Sequence, residues 1–395
     1  MNGNDMGQPR VKQPRVKVAV AGLGVIAQTI HLPLLERLSE YFELTALADL
    51  SPAQLTRLGE RYGVPPEQRH TEVPAMLERG GFDAVLLLTP GSHVRYAAAA
   101  LRHGYRVLSE KPLGYTRQEL TALAEVPGAD RLMVGYMKQY DPAAQLLRQL
   151  LEQVGGARAV HAVDVTVLHP SAASQLAFAR LPRPAGDVPP EALAALRDEE
   201  DALVTTALGG EPALPVRTLY GITLGSICHE LSLIRLFTGP PADVDHAALW
   251  AAPGSAGAAE QSLPSVELSG PLPQGGRYAI RWLYLPDYPA YRETVAVHHA
   301  TGSFELVFPS PYLLNAPTLL TEVSTAAGLE RRAEHRGTCG GFEAELLAFH
   351  ALVTRGTPPL SGVADGLADV VTAQRAAHRL AARYGLNLTG EAAHA

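Results

Sequence analysis

A glycine-rich turn close to the N-terminus has the residue types and spacing of a dinucleotide-binding loop. The apolar run VKVAVA at positions 16–21 leads into Gly22-Leu23-Gly24-Val25-Ile26-Ala27, and a helical pattern follows. Glycines at the first and third positions permit a tight turn and let backbone N–H groups approach a pyrophosphate at the helix N-terminus. In a chain with 36 glycines the turn alone is weak evidence, so its place between a strand and a helix carries the prediction.

Asp49 ends the next apolar run and predicts NAD rather than NADP as the cofactor. A carboxylate at this point can accept hydrogen bonds from both hydroxyls of the adenosine ribose, and it would repel the 2′-phosphate of NADP. Leu50 and Ser51 follow, so no arginine stands directly behind Asp49 to bind such a phosphate. The competing interpretation is an acidic residue at the start of a helix, a role that Ser51 could fill instead.

Two more sets of polar residues follow apolar runs, namely Thr89-Pro90 with His93, and Glu110-Lys111-Pro112. In open α/β sheets, ligands bind at the carboxyl ends of the strands, where we expect both sets to lie. Only four lysines occur among 33 Lys and Arg residues, so a lysine that persists could be needed as a compact ammonium. Lys111 is one of the four, and Pro112 restricts its backbone.

Together these motifs resemble the Gfo/Idh/MocA family, which takes its name from glucose–fructose oxidoreductase, inositol dehydrogenase and a rhizopine-catabolism protein. Glu110-Lys111-Pro112 in this context is the most specific element, and the glycine-rich turn, Asp49 and Thr89-Pro90 support it. Residues 134–142 (VGYMKQYDP) and 228–239, which begin Cys-His-Glu-Leu, are similar to two later segments of the family. The resemblance extends over the chain outside the N-terminal tail and residues 171–216.

The resemblance implies NAD(P)-dependent oxidation or reduction at a carbinol or carbonyl carbon, commonly of a sugar or cyclitol. It implies that Lys111 lies near the nicotinamide and contacts the reacting oxygen, and that His229 acts as the acid or base. The chemistry requires both functions, because hydride transfer to a carbonyl needs a proton donor and stabilisation of alkoxide charge. The residues expected to bind the cofactor are Gly22, Gly24, Val25, Ile26, Asp49, Thr89, Pro90, His93, Glu110 and Lys111.

One position departs from the family pattern. The family places an aspartate four residues before the helix histidine, whereas this chain has Gly225 there. Glu230 is a poor substitute, because adjacent helical residues point about 100° apart. Three explanations remain open: Tyr220 supplies the proton, the reaction (of an imine or an activated ketone) needs less acid–base help, or the redox chemistry has been lost.

Lys138 follows the end of another predicted strand on the side of the cofactor crevice. We expect either contact with the substrate or an ordinary solvated lysine there. No set of carboxylates and histidines has a spacing typical of metal ligands, so we expect no metal.

The elements that must position these residues divide the chain into two domains. Short apolar runs alternate with helical segments up to about residue 140, which predicts a Rossmann domain over residues 15–140 after a disordered tail at 1–14. Beyond it, strands joined by short turns predict an α+β domain over residues 141–395, built on a largely antiparallel open sheet. The Pro- and Ala-rich residues 171–216, the excursion, are predicted to carry one or two helices and are long enough to cover a site. The fold class is therefore α/β with an added α+β domain.

Composition excludes several classes of protein. The net charge is -7 with no basic run, which argues against a nucleic-acid partner. No apolar run approaches the length of a membrane span, and two cysteines form neither a disulfide framework nor a metal cluster. We therefore expect a cytoplasmic NAD(P)-dependent oxidoreductase that acts on a small polar substrate and assembles as a homodimer or homotetramer. The alternative is a non-catalytic, NAD-dependent sensor of the same fold.

Overall fold

A computed structural model describes residues 14–251 and 263–395 of the chain. The predicted tail therefore lies outside the described residues, apart from Pro14. The N-terminal domain contains a six-stranded parallel sheet in the order β3-β2-β1-β4-β5-β6, the arrangement of a Rossmann domain. Its strands are β1 (Val16–Ala21), β2 (Phe42–Ala48), β3 (Arg69–His70), β4 (Ala84–Leu87), β5 (Arg106–Ser109) and β6 (Leu132–Val134).

Seven helices accompany this sheet or connect it to the second domain. They are α1 (Leu32–Arg37), α2 (Pro52–Arg61), α3 (Val73–Arg79), α4 (Val94–Arg102), α5 (Arg117–Ala124), α6 (Met137–Tyr140) and α7 (Pro142–Gln153). A single π-helical turn, Ala27–His31, precedes α1. β1 is buried at every residue except Lys17, as expected for a parallel strand covered on both faces. The Rossmann fold predicted for this part of the chain is confirmed.

The second domain is built on an eight-stranded sheet in the order β14-β13-β12-β11-β7-β10-β9-β8. All neighbouring strands pair antiparallel except β7 and β10, which are parallel. The strands are β7 (Val160–His169), β8 (His246–Trp250), β9 (Ser265–Pro271), β10 (Arg277–Tyr284), β11 (Arg292–His299), β12 (Gly302–Phe308), β13 (Leu319–Ala326) and β14 (Leu329–Arg336). The predicted class of this domain is confirmed.

Helices cover this second sheet and tie it to the first domain. They are α8 (Ala172–Leu176), α9 (Pro190–Leu208), α10 (Leu214–Ile222), α11 (Cys228–Thr238), α12 (Gly341–Arg355) and α13 (Val363–Arg383). Although α12 lies near the C-terminus, its buried Phe342, Leu346 and Phe349 pack in the same core cluster as Val18 and Leu86 of the Rossmann sheet. The two sheets are therefore held together by shared apolar packing as well as by the chain connection.

The apolar runs that predicted strands all fall on observed strands. The short turns at residues 273–276 and 300–302 form hairpins, β9–β10 and β11–β12. At Gly276 in the first of them φ is +78°, and a Cβ atom would lie 2.6 Å from the carbonyl oxygen of Val160, so only glycine fits. Strands β3, β9 and β14 were not predicted. In the described part of the chain, no helix combines the length and the apolar character that crossing a membrane requires.

Candidate active site

A cavity of about 590 Å³ lies where the carboxyl edge of the Rossmann sheet meets the second domain. This volume is in the range of small-molecule sites. Its charged and titratable lining comprises Lys111, Lys138, His169, Arg217, His229 and Glu230, and its aromatic lining comprises Trp282, Tyr291 and Tyr312. The structure thus brings together Lys111, His229 and Lys138, which are far apart in the sequence.

Lys111 is held by its neighbours on both sides. The preceding Glu110 is buried and accepts a hydrogen bond from His31 Nε2 at 3.1 Å, while its other carboxylate oxygen accepts one from the backbone N–H of Lys111 at 3.2 Å. Burial opposes ionisation of Glu110, but the hydrogen bond and charge of His31 outweigh it and lower the pKa of the carboxyl. The Lys111–Pro112 peptide bond is cis. Glu110 therefore anchors the backbone from which Lys111 projects.

The ammonium of Lys111 contacts the position that departs from the family pattern. Its Nζ donates a hydrogen bond to the carbonyl oxygen of Gly225 at 2.6 Å. Gly225 lies in a π-helical turn, Thr223–Ile227, that joins α10 to α11. A π-helical turn disrupts the regular i→i−4 bonding of the helix and is frequent at functional sites. A backbone carbonyl thus binds the lysine beside the position at which a carboxylate was expected.

His229 lies in the first turn of α11 and lines the same cavity. Burial, together with the positive charges of Lys111 and Lys138, holds the pKa of His229 well below its usual value. The imidazole is therefore neutral at pH 7 and able to accept a proton. Its Nδ1 is buried and has no hydrogen-bond partner among the described residues, which agrees with the missing carboxylate at position 225.

Tyr220 is not brought together with these residues. Its side chain is fully buried, and its hydroxyl donates a hydrogen bond to the backbone carbonyl of Tyr115. Burial raises its pKa, so the hydroxyl stays protonated. The explanation in which Tyr220 compensates for Gly225 therefore finds no support in this geometry.

Lys138 is buried rather than solvated. Its Nζ donates hydrogen bonds to Glu230, at 2.8 Å, and to Glu293, and the hydroxyl of Tyr291 donates to Glu293 at 2.5 Å. Burial opposes the charge on Lys138, but the two carboxylates outweigh it and raise its pKa. Burial also raises the pKa of Glu230 to about 7, against the attraction of Lys138. Lys138, Glu230, Glu293 and Tyr291 form the ion-pair cluster. All of them except Glu293 line the cavity, and contact of Lys138 with a substrate stays a prediction.

Replacing Lys138 by methionine is expected to destabilise the protein by about 3–5 kcal/mol at neutral pH, because two buried carboxylates lose their cation. Without that cation the pKa of Glu230, which burial already raises, rises further above that of the unfolded chain, so stability falls as pH rises through the ordinary carboxyl range towards neutrality. The decrease in the free energy of unfolding caused by Lys138→Met should therefore be smaller near pH 5 than near pH 8. Thermal unfolding at both values checks this, with Lys17→Met at an exposed lysine as the control. Equal losses at both pH values would contradict the assigned charge states.

The glycine-rich turn has the features needed to hold a pyrophosphate. At Gly22 φ is +92°, and a Cβ atom would lie 2.6 Å from the carbonyl group of Leu88, so this glycine allows β1 and β4 to approach. Gly24 is exposed and a Cβ atom on it would meet nothing within 4 Å. Val25 is also exposed, and Ile26 is partly exposed. The turn therefore leaves open space at the start of the helix, where a cofactor phosphate would lie.

The side chain of Asp49 stabilises this turn through two hydrogen bonds to backbone N–H groups. One carboxylate oxygen accepts the backbone N–H of Leu23 at 2.7 Å, and the other accepts the backbone N–H of Ser51 at 2.9 Å. Because each carboxylate oxygen has a second lone pair, both can still accept a ribose hydroxyl. Thr89 presents a buried hydroxyl with no partner among residues 14–251 and 263–395, and Pro90 beside it is exposed. These residues fit a nicotinamide dinucleotide.

His93 was expected to bind the cofactor, and the structure connects it to the Glu110-Lys111-Pro112 segment. Its Nδ1 makes a hydrogen bond of 2.8 Å with the carbonyl oxygen of Pro112, and its backbone N–H donates to Leu113 at 3.0 Å. Burial lowers its pKa, so the ring is neutral. His93 thus supports the lysine segment through Nδ1, while its buried Nε2 has no partner among the described residues, and contact with the cofactor stays a prediction.

Two features of the site were missed from the sequence. Trp282 forms part of the cavity wall from β10, with its ring stacked on Tyr284 at 6.1 Å between centroids. Asp187, from the excursion, reaches the N-terminus of α2. Apolar alternation in β10 could have placed Trp282 on the buried face, but nothing near Asp187 marks it. Within the described ranges, no three His, Cys, Asp or Glu side chains cluster so as to hold a metal ion.

Comparison with known proteins shows similarity in sequence and in fold. Residues 16–136 match the model of the family described as "Oxidoreductase family, NAD-binding Rossmann fold" (GFO_IDH_MocA). The chain is 34% identical over 142 residues to a dTDP-3,4-didehydro-2,6-dideoxy-alpha-D-glucose 3-reductase from Actinomadura kijaniata, a match that covers 35% of this chain and 41% of that protein. It is 29% identical over 147 residues to an inositol 2-dehydrogenase from Paracoccus denitrificans, covering 36% and 43%.

These sequence matches span less than half of the length of the curated relatives. The structural match is longer. The scyllo-inositol dehydrogenase from Lactobacillus casei, solved with bound NAD(H) and scyllo-inositol, aligns over 93% of this chain and 97% of its own, with a TM-score of 0.65 and 17% identity. At that identity the likeness establishes a shared fold across both domains.

Proposed function

The Rossmann domain of this chain, residues 16–136, belongs to the Gfo/Idh/MocA oxidoreductase family, and from that premise we propose that the whole protein is an NAD-dependent dehydrogenase or reductase. Its substrate is a small polyhydroxylated compound such as a sugar or cyclitol. The observation that carries the proposal is one cavity in which Lys111 and a neutral His229 face the same space at the carboxyl edge of the cofactor domain. The homo-oligomer and the cytoplasmic location expected from the sequence belong to the same proposal.

Lys111 binds the substrate oxygen. In the oxidation direction an alkoxide develops on that oxygen, and an ammonium fixed in place stabilises the charge without having to reorganise. The hydrogen bond to Gly225 and the anchoring by Glu110 restrict where the Nζ atom can lie.

His229 moves the proton. Its neutral imidazole accepts the proton of the substrate hydroxyl during oxidation and returns it to the oxygen during reduction. When bound, the nicotinamide cofactor supplies the hydride acceptor or donor for the carbinol carbon. The turn from Gly22 to Ala27 holds its pyrophosphate, and Asp49 holds the adenosine ribose, as the open space at Gly24 and the free lone pairs of Asp49 support.

The cavity lining supports a polyol as substrate. Trp282 and Tyr312 offer flat apolar faces, while Lys111, His229 and Glu230 offer hydrogen-bonding groups. A sugar or cyclitol ring has C–H faces for the first kind of surface and hydroxyls for the second. The relatives named for inositol and a deoxysugar act on compounds of this class.

A substrate panel tests the proposal. Purified protein with NAD is incubated with sugars, amino sugars, cyclitols and nucleotide sugars, and NADH formation is followed by absorbance. We expect turnover on at least one compound. Binding of NAD without turnover on any of them, in either direction, would contradict the proposal and favour the sensor alternative.

Gly225→Asp is expected to raise the pKa of His229, because an opposite charge near an imidazole favours its protonated form. Space exists for the side chain, since a Cβ atom there meets nothing within 4 Å. The acid limb of the kcat/KM profile for oxidation should then move to higher pH by about one unit or more. Gly221→Asp is the matched control, because Gly221 lines the same cavity one turn earlier and is equally open. An unmoved limb in a folded Gly225→Asp protein would refute the idea that position 225 acts on His229.

A further inference from the structure

The excursion brings a carboxylate to the adenosine end of the cofactor domain. It leaves the second domain at the end of β7, where Ala172 and Gln175 line the substrate cavity, and then reaches the N-terminus of α2. There Asp187 accepts a hydrogen bond from the hydroxyl of Ser51 at 2.6 Å and another from the backbone N–H of Ala53 at 2.8 Å. An acidic group from a distant segment thus caps α2, which has no acidic residue in its own first turn.

Asp187 and Asp49 bind two different groups of the same residue, Ser51. Asp49 accepts the backbone N–H of Ser51, and Asp187 accepts its hydroxyl. Hydrogen bonds from Ser51 and Ala53 lower the pKa of Asp187, so it is ionised at neutral pH. Two negative charges therefore flank the end of β2, where Asp49 is proposed to hold the adenosine ribose.

The groups that Asp187 occupies are the ones that a 2′-phosphate would need. An anion beside the ribose binds a hydroxyl and exposed backbone N–H groups at a helix N-terminus, as phosphates commonly do. Of the two arginines on this helix, Arg57 donates hydrogen bonds to the side chains of Gln28 and Gln54, and Arg61 lies over the ring of Tyr62. In this structure the anion position is already filled by the protein itself.

We propose that Asp187 is a specificity determinant that excludes NADP, by placing its own carboxylate where the 2′-phosphate would bind. This inference rests on the proposed function, because it concerns the same cofactor site. It adds a second determinant to Asp49, contributed by the other domain. Selection of the cofactor then depends on how the excursion folds over the Rossmann domain as well as on the residue at the end of β2.

Equilibrium binding of NADH and NADPH, followed by their fluorescence, tests this without any substrate. Asp187→Asn removes the charge and keeps the shape, and Asp187→Ala removes both. We expect each variant to lower the ratio of the NADPH Kd to the NADH Kd by about tenfold, chiefly through tighter NADPH binding. The effect should shrink as salt is added, because the charge is exposed. Glu191→Ala, an exposed carboxylate a few residues along the same excursion, should leave the ratio unchanged.

Each other outcome has a definite meaning. If the ratio of the two Kd values is unchanged in both Asp187 variants, the inference is overturned and the proposed function is left intact. This includes the case in which both Kd values change by the same factor. Stronger binding of NADPH than NADH by the wild-type protein also overturns it. Binding of neither nucleotide by the wild-type protein contradicts the proposed function itself, and the inference with it.

Discussion

Lys111→Ala is expected to lower kcat by about 10²–10³-fold while changing the Kd of NADH by no more than about threefold. Loss of one fixed group that stabilises the charge of the transition state typically has an effect of this size. Lys111 contacts the carbonyl of Gly225 in the substrate cavity, whereas the glycine-rich turn and Asp49 lie elsewhere along the sheet edge. Steady-state rates and nucleotide binding, measured on the same preparation, separate the two effects.

Lys17→Ala is the matched control for that experiment. Lys17 is also a lysine of the Rossmann domain, but it is exposed at the start of β1. It should retain wild-type kcat, which excludes a general effect of losing one of the few lysines. A Lys111→Ala enzyme with nearly wild-type turnover would remove Lys111 from the mechanism.

His229→Asn is expected to lower kcat/KM by about 10²–10⁴-fold, the usual contribution of a positioned acid or base. In the oxidation direction the base must be neutral. Because burial and the two lysines hold the pKa of His229 below its usual value, the wild-type acid limb should lie below about pH 6.5. Activity therefore persists as pH falls to that point and declines only below it. The variant should lose this limb together with most of its rate.

His103→Asn serves as the comparison, since His103 is exposed at the end of α4. Its pH profile should match that of the wild-type protein. If His229→Asn kept the same acid limb at a reduced rate, another group would be the base, and the role assigned to His229 would be wrong.

The cofactor domain could be predicted from the sequence because its signals are local. An apolar strand, a glycine-rich turn and an acidic residue after the next strand lie within about thirty-five residues, and parallel-sheet geometry brings them to one edge. The position of Lys111 followed from the same geometry. Strand β14 was missed because Leu329–Arg336 is mostly polar and exposed on both faces, so it carries no apolar alternation.

The second half of the site depends on features that sequence periodicity does not report. Sequence periodicity does not distinguish the π-helical turn at Thr223–Ile227 from an α-helical turn, yet this turn contains the Gly225 carbonyl that binds Lys111. Tyr220, suggested by its nearness in sequence, instead bonds to the backbone of Tyr115. Asp187 lies 136 residues from its partner Ser51, a contact that only the folded excursion creates.

The most direct test of the account is mass spectrometry of nicotinamide recovered after incubation with polyols deuterated at their carbinol carbons. The measurement detects hydride transfer itself, whatever the position of equilibrium. We predict deuterium on the nicotinamide ring with the wild-type protein and at least one polyol, and almost none with Lys111→Ala. Wild-type protein that binds NAD but transfers no label from any polyol would contradict the account.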